Sequence, residues 1–552
     1  MNFRTNLYIM FRTNLYIMFR SIIKKVFVSV LGIILIIACQ APKKEIIFPV
    51  TDLTKENIIP YPLKVSATNS TFALDKNSVI KTSKKDANFV ELGHFLSKKI
   101  KAKIDLNISV DNNGSESKGK VIYINHIETD NLTNDEAYQL IITNDSVKIN
   151  SSTAEGAFRG IQTLRQIIPE TSNDTLAEQK MWLIPTGKIT DEPNFEYRGV
   201  MLDVARHFFS VDDVKKYIEV LTYYKINKLH LHLSDDQGWR IEIKSWPKLT
   251  TIGGSTEVGG AAGGFYTQED YKEIVDYAAK RYITVIPEID MPGHTNAASV
   301  SYPILNGNGK TPKLYTGTEV GLSTFDTRKD TVYFFIDDVI REISAITPGP
   351  YFHIGGDESH VTKKRDYIHF INKVEKIVHK YDKQMIGWDE IMTADVDSNA
   401  IAQFWADSEN ALAAVKNKSK VILSPATKAY LDMKYDTLSK FGLHWAAYIP
   451  VDSAYIWDPE NYVEGISKKD ILGIEAPLWS ETISDIDELE YLAFPRVIGY
   501  TELSWSTKEN RNWESYKIRL ANQASFLNRM NVKFYRSKLI DWQENNDIPI
   551  KP

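Results

Sequence analysis

From Tyr197 onward the chain alternates short apolar runs with amphipathic stretches, a rhythm that predicts parallel strands separated by helices. Strands are expected at 198–204, 227–233, 282–288, 351–355, 384–388, 400–405, 420–424 and 471–479. Helices are expected at about 211–224, 267–281, 330–346, 361–381 and 408–417, with another near 485–498. The stretch between 430 and 470 has little periodicity and reads mostly as loop. Eight strands over about 300 residues fit a closed (β/α)8 barrel within 195–530. An open doubly wound sheet fits less well, because no Gly-rich dinucleotide fingerprint follows the first strand. Gly259-Gly260-Ala261-Ala262-Gly263-Gly264 is no phosphate loop, since no Lys-Ser/Thr follows it and no strand precedes it.

Ahead of the barrel, 64–190 mixes both periods and predicts a small α+β domain. Strands are read at 121–124, 138–142 and 147–150, and a helix at 153–168 with Ala157, Ile161, Leu164 and Ile167 on one stripe. Pro185 to Pro193 reads as the linker between domains, 40–63 as a Lys- and Pro-rich tether, and 531–552 as a C-terminal tail. Residues 1–39 read as a targeting segment. Lys24-Lys25 precede an uncharged run, Val26 to Ala38, that is too short to span a bilayer comfortably. The run ends in Ile36-Ile37-Ala38-Cys39, which resembles the lipobox of bacterial lipoproteins. That resemblance implies cleavage before Cys39, acylation of its sulfur and a lipid-anchored place in the bacterial cell envelope. The competing reading is a plain secretory signal with an incidental cysteine. Cys39 is the only cysteine, so the mature chain holds no intramolecular disulfide. The octapeptide Phe3 to Met10 recurs as Phe11 to Met18, as expected of an overlong start with Met18 as initiator.

Composition narrows the classes. Hydrophobic content of 43% and charged content of 25% are those of a soluble globular protein. A net charge of -5 gives no electrostatic case for nucleic acid. Eleven Trp and 28 Tyr supply apolar faces with one polar edge, which suit sugar rings.

The chemistry sits at the strand ends, which converge on one pocket in such a barrel. The fourth strand runs out in His353-Ile354-Gly355-Gly356-Asp357-Glu358. Alternation puts His353, Gly355 and Asp357 on one face, with Glu358 just past the end. Neighbouring buried carboxylates keep one of the pair protonated near neutral pH, the equipment of general acid–base cleavage. Other strands end in Arg206-His207-Phe208, Ser234-Asp235-Asp236-Gln237, Glu288-Ile289-Asp290-Met291-Pro292-Gly293-His294 and Gly387-Trp388-Asp389-Glu390. The remainder end in Gln403-Phe404-Trp405, Tyr430-Leu431-Asp432 and Trp479-Ser480-Glu481. Carboxylates, Arg, His and Trp at nearly every strand end describe a sugar pocket better than a packed core.

These segments, with His230-Leu231-His232-Leu233 before Ser234 and Gly238-Trp239-Arg240 after Gln237, resemble the family 20 glycoside hydrolases, the β-N-acetylhexosaminidases. The domain before the barrel resembles that family's usual N-terminal domain. The resemblance implies exo action on terminal non-reducing N-acetyl-β-hexosamine residues of an oligosaccharide or glycoconjugate, with no cofactor and no metal. It implies retention through an oxazolinium ion made by the substrate's own acetamido oxygen. Glu358 would be the acid and then the base, Asp357 would accept from the acetamido N–H, and Tyr430 would donate to the acetamido oxygen. Trp388, Trp405 and Trp479 would enclose the N-acetyl group and sugar face. Arg206 and Glu481 would bind hydroxyls 3 and 4, and Asp432 hydroxyls 4 and 6. Asp235 and His294 would support Glu358.

Two readings compete. A metal-dependent barrel hydrolase would use His230, His232, His294, His353 and Asp357 as ligands, although His230 and His232 sit mid-strand, away from the barrel mouth. A non-catalytic glycan-binding lipoprotein would have no use for the Glu358 carboxylate. An endo-chitinase is disfavoured because Gly355-Gly356 stand where that family's spaced Asp residues would be.

Overall fold

The computed structural model describes residues 3–38, 48–83, 86–111, 119–128, 132, 134–172, 180–310 and 312–543. The helix Phe3–Ala38 is a unit of its own. Among the described residues no helix is long and apolar enough to cross a membrane. Cys39 lies outside the described residues.

Seven strands form the first sheet: β1 (Lys64–Leu74), β2 (Val79–Thr82), β3 (Ser109–Asp111), β4 (Val121–His126), β5 (Tyr138–Ile142), β6 (Ser146–Ser151) and β7 (Trp182–Asp191). Their order is β1-β7-β5-β6-β4-β2-β3. β5 buries alternate residues, as an amphipathic strand should. Helices Ala87–Ile104 and Ala154–Ile167 pack their apolar stripes into the same core. Thr153 caps the second helix by accepting the Gly156 N–H.

Three expectations need correction here. Residues 185–191, read as a linker, belong to β7, a strand inside the sheet. Pro185 is tolerated because β7 has β1 alone beside it there, β5 joining only from Gly187 onward. From Leu53 onward the described part of the tether is packed: Leu53, Ile58 and Ile59 are buried, and Arg519 donates to the Ile58 carbonyl at 2.9 Å. The C-terminal segment is no loose tail as far as Gln543, since Val532, Phe534 and Ile540 are buried in the barrel's outer core.

The second sheet is a closed parallel barrel of eight strands: β8 (Tyr197–Asp203), β9 (Lys228–His232), β10 (Thr284–Glu288), β11 (Tyr351–His353), β12 (Gln384–Trp388), β13 (Ile401–Phe404), β14 (Lys420–Leu423) and β15 (Ile471–Leu478). β15 pairs with β8 to close the ring. These strands are buried nearly throughout, because side chains fill the inside while helices cover the outside. Helices Val211–Tyr223 and Gln268–Ala279 start on reciprocal capping boxes, Ser210 with Asp213 and Thr267 with Asp270. The helix expected at 485–498 is two, Ile486–Ala493 and Arg496–Trp505. Pro495 between them has no N–H to continue the ladder. Between 430 and 470 the chain is mostly irregular, with one short α-helix at Val451–Tyr455 and single 3-10 turns at Pro459–Asn461 and Lys468–Asp470.

Candidate active site

β11 is only three residues long, and the chain leaves it through Gly355 and Gly356 at φ values of 66° and 103°. A Cβ on Gly355 would sit 1.9 Å from Asp290 Oδ1, so the turn admits no side chain there. The same Asp290 oxygen accepts the Gly356 N–H at 3.1 Å. Strand alternation therefore stops before the carboxylates, and both Asp357 and Glu358 reach the cavity at the barrel mouth. Glu358 adopts a φ of 45°, a costly conformation for a residue with a side chain and one that clusters at working sites.

The cavity measures about 230 Å³. Arg206, Asp357, Glu358, Trp405, Tyr430, Asp432, Trp479 and Glu481 line it, together with Thr318, Val320, Leu443 and Trp445. Asp235, His294 and Trp388 stand behind it, each 1% exposed. Of the three tryptophans expected to enclose a ligand, Trp405 and Trp479 are on the cavity surface. Trp388 packs against Trp479, ring centroids 5.6 Å apart.

Charges are arranged in a chain. Arg206 binds Asp235 Oδ2 at 2.8 Å and Asp203 Oδ2 at 3.3 Å, and its guanidinium lies 4.8 Å from the Trp479 ring centre. Asp235 also meets His232 Nε2 at 2.9 Å and His294 Nδ1 at 3.2 Å. Burial opposes its charge, but Arg206 and His294 outweigh burial and hold Asp235 well below the usual carboxylate range. Burial likewise opposes charge on His294, and Asp235 and Asp290 overcome it, raising the imidazole well above its ordinary value. His294 Nε2 then points a positive N–H between Glu358 Oε2, 3.7 Å away, and Asp357 Oδ2, 3.9 Å away. Burial and then the Asp357 charge push Glu358 up to about 6, which keeps a proton within reach near neutral pH.

The far wall is built to donate. Burial and Asp357 raise Tyr430 well above its ordinary value, so it is a neutral phenol. The Trp479 ring lies beside it, centroids 6.3 Å apart. Burial and Glu481 push Asp432 up in the same way. Arg206 Nε, Asp357 Oδ1, Asp432 Oδ1 and Glu481 Oε2 are buried without a protein partner. Orphaned polar atoms gathered on cavity-lining residues are satisfied by a ligand rich in hydroxyls.

Two contributors were given no role by the sequence. Trp445, in the aperiodic stretch, is 58% exposed and packs edge-on against Trp405 at 6.2 Å and Tyr430 at 6.0 Å, at the cavity mouth with Val320. Its only sequence signal is a large aromatic in a loop, where burial does not explain it. Glu390 accepts the Trp405 indole N–H at 3.1 Å, and burial with the Asp357 charge pushes it up to about 8.

Among the described residues, His/carboxylate clusters with metal-ligand spacing include His230 with Glu288 and His353, and His232 with Glu288 and Asp290. His230 and His232 have both ring nitrogens within 3.0 Å of a carboxylate: Glu475 and Glu288 for the first, Glu288 and Asp235 for the second. Neither histidine has a free lone pair pointing at an open position, as a catalytic metal requires.

Residues 195–508 match the family model described as glycosyl hydrolase family 20, catalytic domain, and residues 55–192 match domain 2 of the same family. The β-N-acetylhexosaminidase of Cellulomonas fimi is 38% identical over 418 residues, covering 75% of this chain and 83% of that protein. The β-hexosaminidase of Porphyromonas gingivalis is 34% identical over 528 residues, 91% of this chain and 67% of that protein. Among solved structures, the GH20 β-N-acetylhexosaminidase of Streptomyces coelicolor aligns with a TM-score of 0.84 at 42% identity, covering 89% of this chain and all of its own. The Streptomyces plicatus N-acetyl-β-hexosaminidase in complex with Thio-NAglucal aligns at 0.84 and 43%, covering 90% of this chain and 99% of its own.

Proposed function

The chain belongs to glycosyl hydrolase family 20 and is an exo-acting β-N-acetylhexosaminidase, and from that premise we propose that it works by substrate-assisted retention. The observation that carries this reading is the pairing of one proton-bearing carboxyl, Glu358, with a second carboxylate, Asp357, across from a neutral phenol, Tyr430, in one small cavity. A volume of about 230 Å³ is below that of pockets for drug-sized ligands and suits one sugar residue.

Glu358 protonates the departing glycosidic oxygen while the acetamido oxygen of the same sugar attacks the anomeric carbon. Asp357 accepts the acetamido N–H and balances the positive charge that builds on the oxazolinium ring; Tyr430 donates to the attacking oxygen and orients it. Glu358, now a carboxylate, takes a proton from water as it opens that ring, which restores the β configuration. Arg206, Asp432 and Glu481 hold hydroxyls 3, 4 and 6, and their orphaned atoms support that assignment. Trp405 and Trp479 close on the N-acetyl group, and Trp445 at the mouth offers its face to the leaving sugar.

Release of p-nitrophenol from the N-acetyl-β-glucosaminide and from the plain β-glucoside, each with and without chelator, tests the mechanism. Turnover of the N-acetyl sugar alone, indifferent to chelator, is expected. Equal turnover of both would remove the acetamido group as nucleophile. We propose further that Cys39 is acylated after cleavage of 1–38 and tethers the enzyme to a membrane of the bacterial envelope, a reading supported by Ile36-Ile37-Ala38-Cys39. The full chain expressed in bacteria should partition into detergent, and Cys39→Ser should return it to the aqueous phase; equal partitioning of the two would exclude the anchor.

A further inference from the structure

The cavity wall Trp479 rests on two rings that share one buried carboxylate. Trp388 packs against it with centroids 5.6 Å apart, and His232 meets it edge-on at 5.0 Å. The Trp388 indole N–H donates to Glu288 Oε1 at 3.0 Å, and His232 Nδ1 stands 2.5 Å from Glu288 Oε2. Glu288 ends β10, is fully buried and does not reach the cavity. His230 Nε2 and His353 Nδ1 approach its two oxygens at 3.0 Å each. Burial opposes its charge, yet His232, His353 and His230 hold it well below the usual carboxylate range, so it is an anion hydrogen-bonded by the Trp388 indole and by His232. The other nitrogen of His232 is tied to Asp235 at 2.9 Å, which leaves that ring no freedom to turn.

We propose that Glu288 is a positioning residue that sets acyl-group specificity: it clamps Trp388 and His232 and so fixes how far Trp479 stands from the acetamido group. The proposal rests on the acetamido-pocket reading above. Charge-assisted hydrogen bonds from two rings to one rigid anion define the height of the surface on which Trp479 lies. Slackening them lets Trp479 settle back and admits a longer acyl chain. Glu475 supplies a matched comparison. It is equally buried, on β15, and bonds Tyr197, His230 and Gln403, but is hydrogen-bonded to neither Trp388 nor His232. If buried carboxylates of this core were merely structural, the two would be equivalent.

The test measures kcat/KM of the full chain and of Glu288→Gln and Glu475→Gln on p-nitrophenyl β-glucosaminides carrying N-acetyl, N-propionyl and N-butyryl groups. Glu288→Gln should raise the N-propionyl to N-acetyl ratio about ten-fold, the worth of one methylene in a pocket. Glu475→Gln should leave that ratio at the wild-type value whatever it does to stability. An unchanged ratio in Glu288→Gln, or the same change in both variants, overturns the proposal. If Glu288→Gln does not fold, Trp388→Phe, which deletes the N–H of the clamp and keeps a ring, is read on the same substrates, and an unchanged ratio there also overturns it. Wild-type turnover of the plain glucoside as fast as the N-acetyl sugar would instead sink the pocket reading itself, which keeps the two failures apart.

Discussion

Glu358 ionises at neutral pH at the expense of stability. Its pKa is raised from 4.5 to about 6 by burial and by Asp357, so folding favours its protonated form. The stability it contributes is complete below about pH 4.5 and is lost as pH rises through about 6. At pH 7 the native state bears an ionised carboxylate in a poor place, a cost of up to about 2 kcal/mol. Glu358→Gln should therefore melt higher than wild type at pH 7 and equal to it at pH 4, by calorimetry at the two pH values. The same variant should lose about 10²–10⁴ in kcat on glycosides with poor leaving groups, and less on p-nitrophenyl substrates that need no acid. Asp357→Asn acts on the nucleophile instead and should lose about 10²–10³ on both kinds of substrate. Identical losses for both variants on every substrate would refute the division of labour. At this scale the sequence is legible where chemistry and position coincide: eight of the expected residues line one cavity, because strand ends of a parallel barrel must converge. Trp388 is where it fails. Its place at a strand end does not reveal that the ring turns inward to Glu288 rather than outward to the cavity.

The strand-end turns decide whether those residues meet. Gly355 is the clearest case, since a methyl group there would overlap Asp290 Oδ1 and force a side chain into a φ of 66°. Gly355→Ala should cost at least the about 1–3 kcal/mol of such strain and displace Asp357 and Glu358 together. Its thermal midpoint and kcat should both fall, and a variant with wild-type kcat would mean the turn relaxes without moving the carboxylates. Elements were legible in proportion to how uniformly they are buried. Parallel strands covered on both faces leave short continuous apolar runs, and 384–388 is read to the residue. β1 is harder, because its first half, Lys64 to Ser70, is exposed or half-buried and mixes polar with small residues. β7 is disguised by Pro185. Irregular segments give no period at all, so Trp445 could not be assigned to the cavity mouth before the fold brought it there.

Taken as a whole, the first domain is joined to the barrel by a polar weld rather than by a linker. Asp191, at the end of β7, accepts from Tyr138 at 2.6 Å within its own domain. From the barrel it takes Lys225 Nζ at 2.9 Å and the Trp505 indole N–H at 2.9 Å, and from the incoming chain the Leu63 N–H at 3.0 Å. Trp505 buries its ring in the core of the first domain. A second buried set repeats the device: Glu136, in the turn before β5, lies between Arg159 of the first domain's helix Ala154–Ile167 and Arg198 of β8. Neither weld is visible in the sequence, because each partner lies tens to hundreds of residues from the others and a lone Asp or Lys carries no period. Groups so deeply shared make the two domains one cooperative unit, since separating them strands a buried Lys225 and a buried Arg198 without counter-charges. The full chain should therefore unfold in a single calorimetric transition. Asp191→Ala should cost about 3–5 kcal/mol, the price of breaking one partner from a buried pair, and should lower the midpoint of both domains together. The catalytic site lies at the opposite end of the barrel strands from Arg198 and Lys225, so kcat measured well below the new midpoint should stay near wild type. Two resolved transitions in the parent chain, with the first domain melting alone, would show that the weld does not couple them.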